Sequence, residues 1–489
     1  MAGRMIEWIV RLGFGAALAA VFIAGTAHAA PPTFTPGPCP VDIGALAPRV
    51  TCGVFAVDET RGSSNGRRVA MPVVILKAEG PTGQPPLIVL HGGPGGGAVS
   101  GLAARAGAVA GRGSGRKNWN GVDQDVIIFD QRGGTDSVPS LDCGKLNLND
   151  AGPDSDGTVG ALKACAARHK AAGVDLSRYN AVEVAHDVQN LRRTLGLKQV
   201  DLFGVSYGTR IALEVVRTAP EGVRAVILDS LWPPEAKWVD EGPMPVARAV
   251  RLIVSLCAAD PVCTKDKPDL QIKVDALVAR WLTAPQGGAD GRRYPVEDFA
   301  QYMMDAAYSG ADARAMPGVL QKLVTGDFSP IASYDTDRSP YVEGQHLTHL
   351  CKEQFPFETR EGVVKNAGSD PLAQALVKTM VRYFDACEGF DVGPIDRRQA
   401  DPIASDLPIF VLNAGIDPGC PPELARSAVK RFSHGQLAIF PYATHGVTRN
   451  SPCAASLARA FLRDPSKPLD QACVATEQTG FHFDQKPGG

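Results

Sequence analysis

The stretch Gly204-Val205-Ser206-Tyr207-Gly208 decides the reading of this chain, because of what flanks it. Val200 to Phe203, with Asp201 inside, reads as a short buried strand, and Thr209 to Val216 reads as a helix. A serine between two glycines at a strand-to-helix turn has the form of a nucleophile elbow. The glycines permit a strained backbone and close packing, so the hydroxyl stands at a helix N-terminus above the sheet edge. The pattern alone is weak, since Gly62-Ser63-Ser64-Asn65-Gly66 matches it too. That second match lies between strand-like runs at 54–57 and 69–76, beside arginines and an Asn-Gly pair, and reads as a solvated hairpin loop.

The 489 residues suffice for one large domain with an insertion, or for two domains. Fifty Lys+Arg against 52 Asp+Glu leave a net charge of −2, so nothing points to a nucleic-acid partner. Residues 1–29 read as a secretory signal. Arg4 and Arg11 flank the start, 12–24 is apolar, and Ala27-His28-Ala29 places cleavage before Ala30. A membrane role arises only if this segment stays uncleaved as an anchor. Export, to the periplasm or outside, makes the eleven cysteines a disulfide set. Neighbours along the chain suggest Cys39–Cys52, Cys143–Cys165, Cys257–Cys263, Cys351–Cys387 and Cys453–Cys473, leaving Cys420 over.

From 54 to 231 strand-like and helix-like runs alternate, with strands at 54–57, 69–76, 87–90, 126–129, 200–203 and 223–228 and a helix over 182–195. From about 240 to 400 the pattern is mainly helical, at 246–258, 272–282, 296–308 and 373–384. Alternation returns at 407–412 and 437–440. The expectation is a mostly parallel α/β sheet with a helical cap inserted after the sixth strand. The parts are a core segment 30–231, a cap 232–402, and a second core segment 403–489.

A serine hydroxyl needs a base to take its proton, and an imidazole does so when a third group fixes its tautomer. On an α/β-hydrolase sheet these groups follow in the order serine, acid, histidine. His445 follows the strand at 437–440, whereas His346 and His349 fall in the insertion and His434 precedes its strand. Asp417 follows the strand at 409–412 and is the expected acid, with Asp229, at the end of 226–228, as its rival. Oxyanion donors are expected from the amide of Tyr207 and from Gly93 or Gly92 in the loop His91-Gly92-Gly93-Pro94-Gly95-Gly96-Gly97. A phosphate loop would need a Lys-Ser/Thr or spaced acid that is missing here. His91 itself reads as structural. No metal or organic cofactor is implied.

Three stretches together, His91-Gly92-Gly93-Pro94-Gly95, Asp130-Gln131-Arg132-Gly133 and Gly204-Val205-Ser206-Tyr207-Gly208-Thr209, resemble the proline iminopeptidase family of α/β-hydrolases. The Ser-Tyr-Gly-Thr form, Cys39/Cys52 and Ser451-Pro452-Cys453 with Cys473 are closest to its secreted, tripeptidyl-aminopeptidase-like branch. The resemblance spans roughly 39–475 and is weakest over 235–345. It implies a serine peptidase releasing N-terminal residues from short peptides through an acyl-enzyme. It also implies a cap carboxylate for the substrate ammonium, with Glu353 as candidate and Glu358 in reserve. Departures are Gly134-Thr135-Asp136-Ser137 after the Asp-Gln-Arg-Gly motif, His91 where the branch has asparagine, and Gly419-Cys420-Pro421 where Thr-Pro is usual. A carboxylesterase with the same triad, or an envelope-binding protein on a retired hydrolase scaffold, are the rival readings. The number of residues removed and the oligomeric state stay open.

Overall fold

The computed structural model describes residues 30–63, 66–80, 82–103, 122–148, 155–288, 291–334, 341–477 and 483. The expected signal segment, His482 and the centre of the 62–66 loop lie outside them. Eleven strands run in chain order: β1 Thr33–Gly37, β2 Val50–Asp58, β3 Arg68–Leu76, β4 Leu87–Leu90, β5 Val126–Phe129, β6 Val200–Val205, β7 Val223–Asp229, β8 Gln286–Gly287, β9 Arg293–Tyr294, β10 Ser405–Ala414 and β11 Phe432–Phe440. Nine form one sheet in the order β1-β2-β3-β5-β4-β6-β7-β10-β11, while β8 and β9 pair separately. From β5 to β11 all pairings are parallel, and β1, β2 and β3 form an antiparallel edge that joins β5.

The central strands Leu87–Leu90 and Val126–Phe129 are buried at every position, as apolar runs covered on both faces must be. Helix Ala181–Thr194 packs on helix Tyr207–Thr218 beneath the sheet, and Asn180 caps the former by accepting from the Glu183 amide. β1 was not anticipated: Pro31, Pro32 and Pro36 hid a strand that pairs with β2 beside the Cys39–Cys52 bridge. The helical insertion therefore follows the seventh strand of the chain rather than the sixth.

Between β7 and β10 the chain is mainly helical, with Pro243–Ala259, Leu270–Trp281, Val296–Tyr308 and Pro371–Cys387 where the sequence pattern placed them. A further helix, Gly310–Val324, was not among the expected ones, and it carries Pro317 inside it. Glu343–Glu353 is polar in sequence and entirely buried, wedged between cap and core. The five disulfides are those suggested by chain proximity, and Cys420 is free and buried. Such cysteine usage fits an extracellular or periplasmic protein. Among the described residues no helix is long and apolar enough to cross a membrane.

Candidate active site

β6 ends at Val205 and the next helix begins at Tyr207, leaving Ser206 between them at φ 58°, ψ −128°. A non-glycine residue in such a conformation costs about 1–3 kcal/mol and persists only where its surroundings over-determine it. Here the Ser206 amide donates to the Asp229 carbonyl at 2.9 Å, and its own carbonyl accepts from the amide and hydroxyl of Thr209 at 2.8 and 2.6 Å. The flanking glycines are needed for close approach. A Cβ on Gly208 would lie 2.0 Å from the Leu90 carbonyl oxygen, and one on Gly204 2.5 Å from that of Gly208.

Asp417 sits on the turn after β10, wholly buried. Its Oδ2 accepts from His445 Nδ1 at 2.8 Å, and its Oδ1 accepts from the amides of Gly419 and Cys420 at 3.0 and 2.8 Å. From the cap, Arg248 donates to the carbonyls of Gly415 and Asp417 at 2.6 and 2.8 Å, tying helix Pro243–Ala259 to this turn. The Tyr308 ring stands edge-on to the His445 ring with centroids 4.7 Å apart. The Cys420 thiol neighbours Ser206 and lies within 4.8 Å of a donor atom of both Asp417 and His445. Ser206, Asp417 and His445 thus converge around one sulfur. Burial first, then the Asp417 and Asp229 carboxylates, pushes that thiol well above its usual range, while the Ser206 contact opposes.

Asp229, the rival acid, has another task. Its carboxylate accepts from the Val447 amide at 2.8 Å and from the amide and hydroxyl of Thr448 at 2.9 and 2.6 Å. Ser230 Oγ accepts from the Gly446 amide at 2.9 Å. Together they anchor the loop that carries His445. Of the other histidines, His346 bonds Tyr341 Oη and the Pro94 carbonyl, His349 lies in the core, and His434 is exposed on β11.

The glycine loop packs directly on the serine: a Cβ on Gly92 would meet Ser206 Cβ at 2.6 Å and the Val205 carbonyl oxygen at 2.7 Å. The Asp130-Gln131-Arg132 stretch holds this loop in place, a role that proximity in sequence could not reveal. Asp130 accepts from the amides of Ala98, Val99 and Asp136 at 2.8–3.0 Å, and Gln131 donates to the His91 carbonyl at 2.8 Å. Arg132 makes a two-pronged ion pair with Asp187 at 2.7 and 2.9 Å, both side chains buried. On the far side, Val342 donates to the Gly95 carbonyl at 2.8 Å, so the cap clasps the loop as well.

The two carboxylates expected to meet a substrate ammonium are engaged internally. Glu353 Oε1 accepts from the Ala181 amide at 2.6 Å, and Oε2 accepts from Tyr207 Oη at 2.6 Å and ion-pairs with Arg210 Nε at 2.9 Å. Glu358 Oε2 accepts from the amides of Val239 and Asp240, at 2.7 and 2.5 Å. Burial raises its pKa to about 8 despite those bonds, with the nearby Asp240 adding to the rise. Both therefore serve the fold, Glu353 as a buried charge paired with Arg210 and Glu358 through the amides it accepts from. Glu241 is different. It borders a cleft of about 330 Å³ lined by Trp232, Trp238, Pro418 and Gly419, and its carboxylate has no ion-pair partner among the described residues.

Comparison with known proteins agrees with this geometry. The alpha/beta hydrolase fold family matches residues 85–270, and the TAP-like protein family matches residues 373–473. The Escherichia coli (strain K12) protein named "Putative hydrolase YuaR" is 28% identical over 116 residues, which are 24% of this chain and 22% of that relative. The chain thus matches about a fifth of that relative's length. Similar solved structures include a thermophilic esterase from Thermogutta terrifontis, at 14% identity and TM-score 0.38, over 82% of this chain and 96% of that one. Another is an esterase from Exiguobacterium antarcticum, at 12% identity and TM-score 0.34, over 81% and 96%. Likeness at that level assigns no chemistry. With this sheet order, the chain has the α/β-hydrolase fold, its residues 85–270 matching the alpha/beta hydrolase fold family and its residues 373–473 the TAP-like protein family.

Proposed function

We propose that this hydrolase is an exported serine peptidase that releases N-terminal residues from short peptides. The observation that carries the reading is the convergence of a strained Ser206, a 2.8 Å His445–Asp417 pair and a glycine loop packed on the serine. In this scheme His445 takes the Ser206 proton as Oγ attacks the scissile carbonyl, then returns it to the leaving amine. Asp417 fixes the imidazole tautomer, being itself pinned by two amides. The amides of Tyr207 and of Gly93 or Gly92 meet the oxyanion, each contributing about 2.7–4 kcal/mol to lowering the barrier. Water then releases the acyl-enzyme.

For the substrate ammonium, the reading turns to Glu241. Among the described residues its carboxylate makes no ion pair, and it lines the same cleft as Trp232 and Trp238, surroundings that favour a cation. The internal commitment of Glu353 and Glu358 is the specific observation that keeps a carboxylesterase as the second reading. A matched panel of aminoacyl- and tripeptidyl-arylamides, with free and blocked amino ends, beside short-chain esters, separates the two. The peptidase reading expects free amino ends to be strongly preferred and Glu241→Gln to raise KM for them. Turnover of esters alone, indifferent to blocking, contradicts it.

A further inference from the structure

Ten of the eleven cysteines are closed in disulfides, so Cys420 is the single thiol of the chain. Its position is fixed at both ends of the residue. The amide donates to Asp417 Oδ1 at 2.8 Å, and the carbonyl accepts from Asn413 Nδ2 at 2.9 Å. The backbone of Cys420 is therefore fixed beside Asp417, and its thiol is fully buried there.

That placement assembles a donor set. A carboxylate oxygen of Asp417, the Cys420 sulfur and an imidazole nitrogen of His445 all lie within 4.8 Å of one another, each on a buried residue. Ser206, which neighbours the sulfur, is only partly buried. A thiolate, an imidazole and a carboxylate are the three ligand types that bind zinc, and thiolate selects for soft cations over magnesium or calcium. The donors are also carried on rigid supports, the acid turn bonded by Arg248 and the histidine loop bonded by Asp229 and Ser230.

We infer that Asp417, Cys420 and His445 form a binding site for a thiophilic divalent cation, Zn²⁺ or Cd²⁺, and that its occupancy silences Ser206. Binding breaks the Cys420 S–H bond and releases that proton to solvent, while the sulfur keeps the electron pair and donates it to the cation. Nothing is oxidised or reduced. If Nε2 donates to the cation, the base is occupied; if Nδ1 does, the ring proton it donates to Asp417 moves to Nε2, and in both cases Nε2 can no longer take the serine proton. The silencing rests on the proposed role of Ser206, whereas the binding does not.

The experiment titrates the full chain with CdCl₂ and follows two signals, the ultraviolet thiolate-to-cadmium charge-transfer band and the rate at which a fluorophosphonate probe labels the protein. One equivalent of band-forming metal is expected, with labelling slowed at least about tenfold at saturation. Cys420→Ser and Cys420→Ala should each remove the band and weaken cadmium binding by at least about 10–100-fold, the loss that follows when only a partner of a ligand is changed. Absence of the band in the wild-type chain overturns the site, as does equal binding by either folded variant. A band with unchanged labelling overturns the silencing. A band in a chain that the probe never labels leaves the site standing and overturns the nucleophile assignment instead.

Discussion

The Tyr207 hydroxyl donates to Glu353 at 2.6 Å, so the residue that follows Ser206 is held from inside the protein by a carboxylate of the cap's returning helix. His349 Nδ1 meets the same hydroxyl at 2.7 Å, and Arg210, one turn along the elbow helix, pairs with the same carboxylate. With Tyr207 donating to Glu353, the His349 Nδ1 proton faces the phenol oxygen. Burial, then the charges of Arg132 and Arg210, keeps that imidazole neutral by lowering its pKa to about 3. Three helices, Ala181–Thr194, Tyr207–Thr218 and Glu343–Glu353, meet at this one carboxylate.

Removing it strands a buried guanidinium. Glu353→Ala is expected to cost about 3–5 kcal/mol of stability, the range for breaking a buried ion pair from one side. Glu353→Gln, which keeps a hydrogen-bond acceptor, should cost less. Urea denaturation of the three proteins checks the order, and an alanine variant as stable as wild type would contradict it.

Asp417 is pinned by two amides and bonds the imidazole through its other oxygen. Asp417→Asn keeps the shape but favours the wrong tautomer, and kcat should fall about 10⁴-fold with KM little changed. Steady-state kinetics on whichever arylamide or ester is turned over gives the answer. Asp229→Asn acts differently, loosening the Val447 and Thr448 amides, and should show chiefly as lost thermal stability.

Glu358 supplies the pH dependence. Its folded pKa, about 8, stands above the ordinary value of 4.5 because burial disfavours the charged form. The folded state therefore holds a proton that the unfolded state has released, and stability from this group falls as pH rises from about 4.5 through about 8. Denaturation at pH 5 and pH 8 should show a smaller loss of stability in Glu358→Gln than in wild type. An equal loss would mean that Glu358 does not carry the effect.

Gly92 has no room for a side chain. A Cβ there falls 2.6 Å from Ser206 Cβ and 2.7 Å from a backbone oxygen, and neither belongs to a flexible chain end. Gly92→Ala should displace the loop from the serine at an overpacking cost of about 1–3 kcal/mol. Its activity, corrected for folded fraction, should drop far more than its stability. Full activity would remove the loop from the account.

Where apolar periodicity and glycine punctuation are strong, the sequence is legible. β4, β5 and β6 are mostly apolar runs, the elbow between β6 and its helix is a sharp turn, and a place just after a strand marks out His445. Asp229 also stands at a strand end, so only its bonds to the Val447 and Thr448 amides tell it from Asp417. Three features were not legible. β1 follows Pro31-Pro32 and contains Pro36, and pairing with β2 overrides that composition. Glu343–Glu353 carries polar residues all round, because its neighbours Tyr207, Arg210 and Arg132 satisfy them only in three dimensions. Glu353 and Glu358 stand near the expected place in sequence, but nothing in the sequence shows that arginine and backbone amides already occupy them.

The account turns on Ser206. The most direct measurement is peptide mapping by mass spectrometry after reaction of the full chain with a fluorophosphonate probe. A single adduct on Ser206 is expected, lost in Ser206→Ala and strongly slowed in His445→Ala. No adduct on the folded wild-type chain, or equal labelling of Ser206→Ala, would contradict the nucleophile assignment and with it the proposed chemistry.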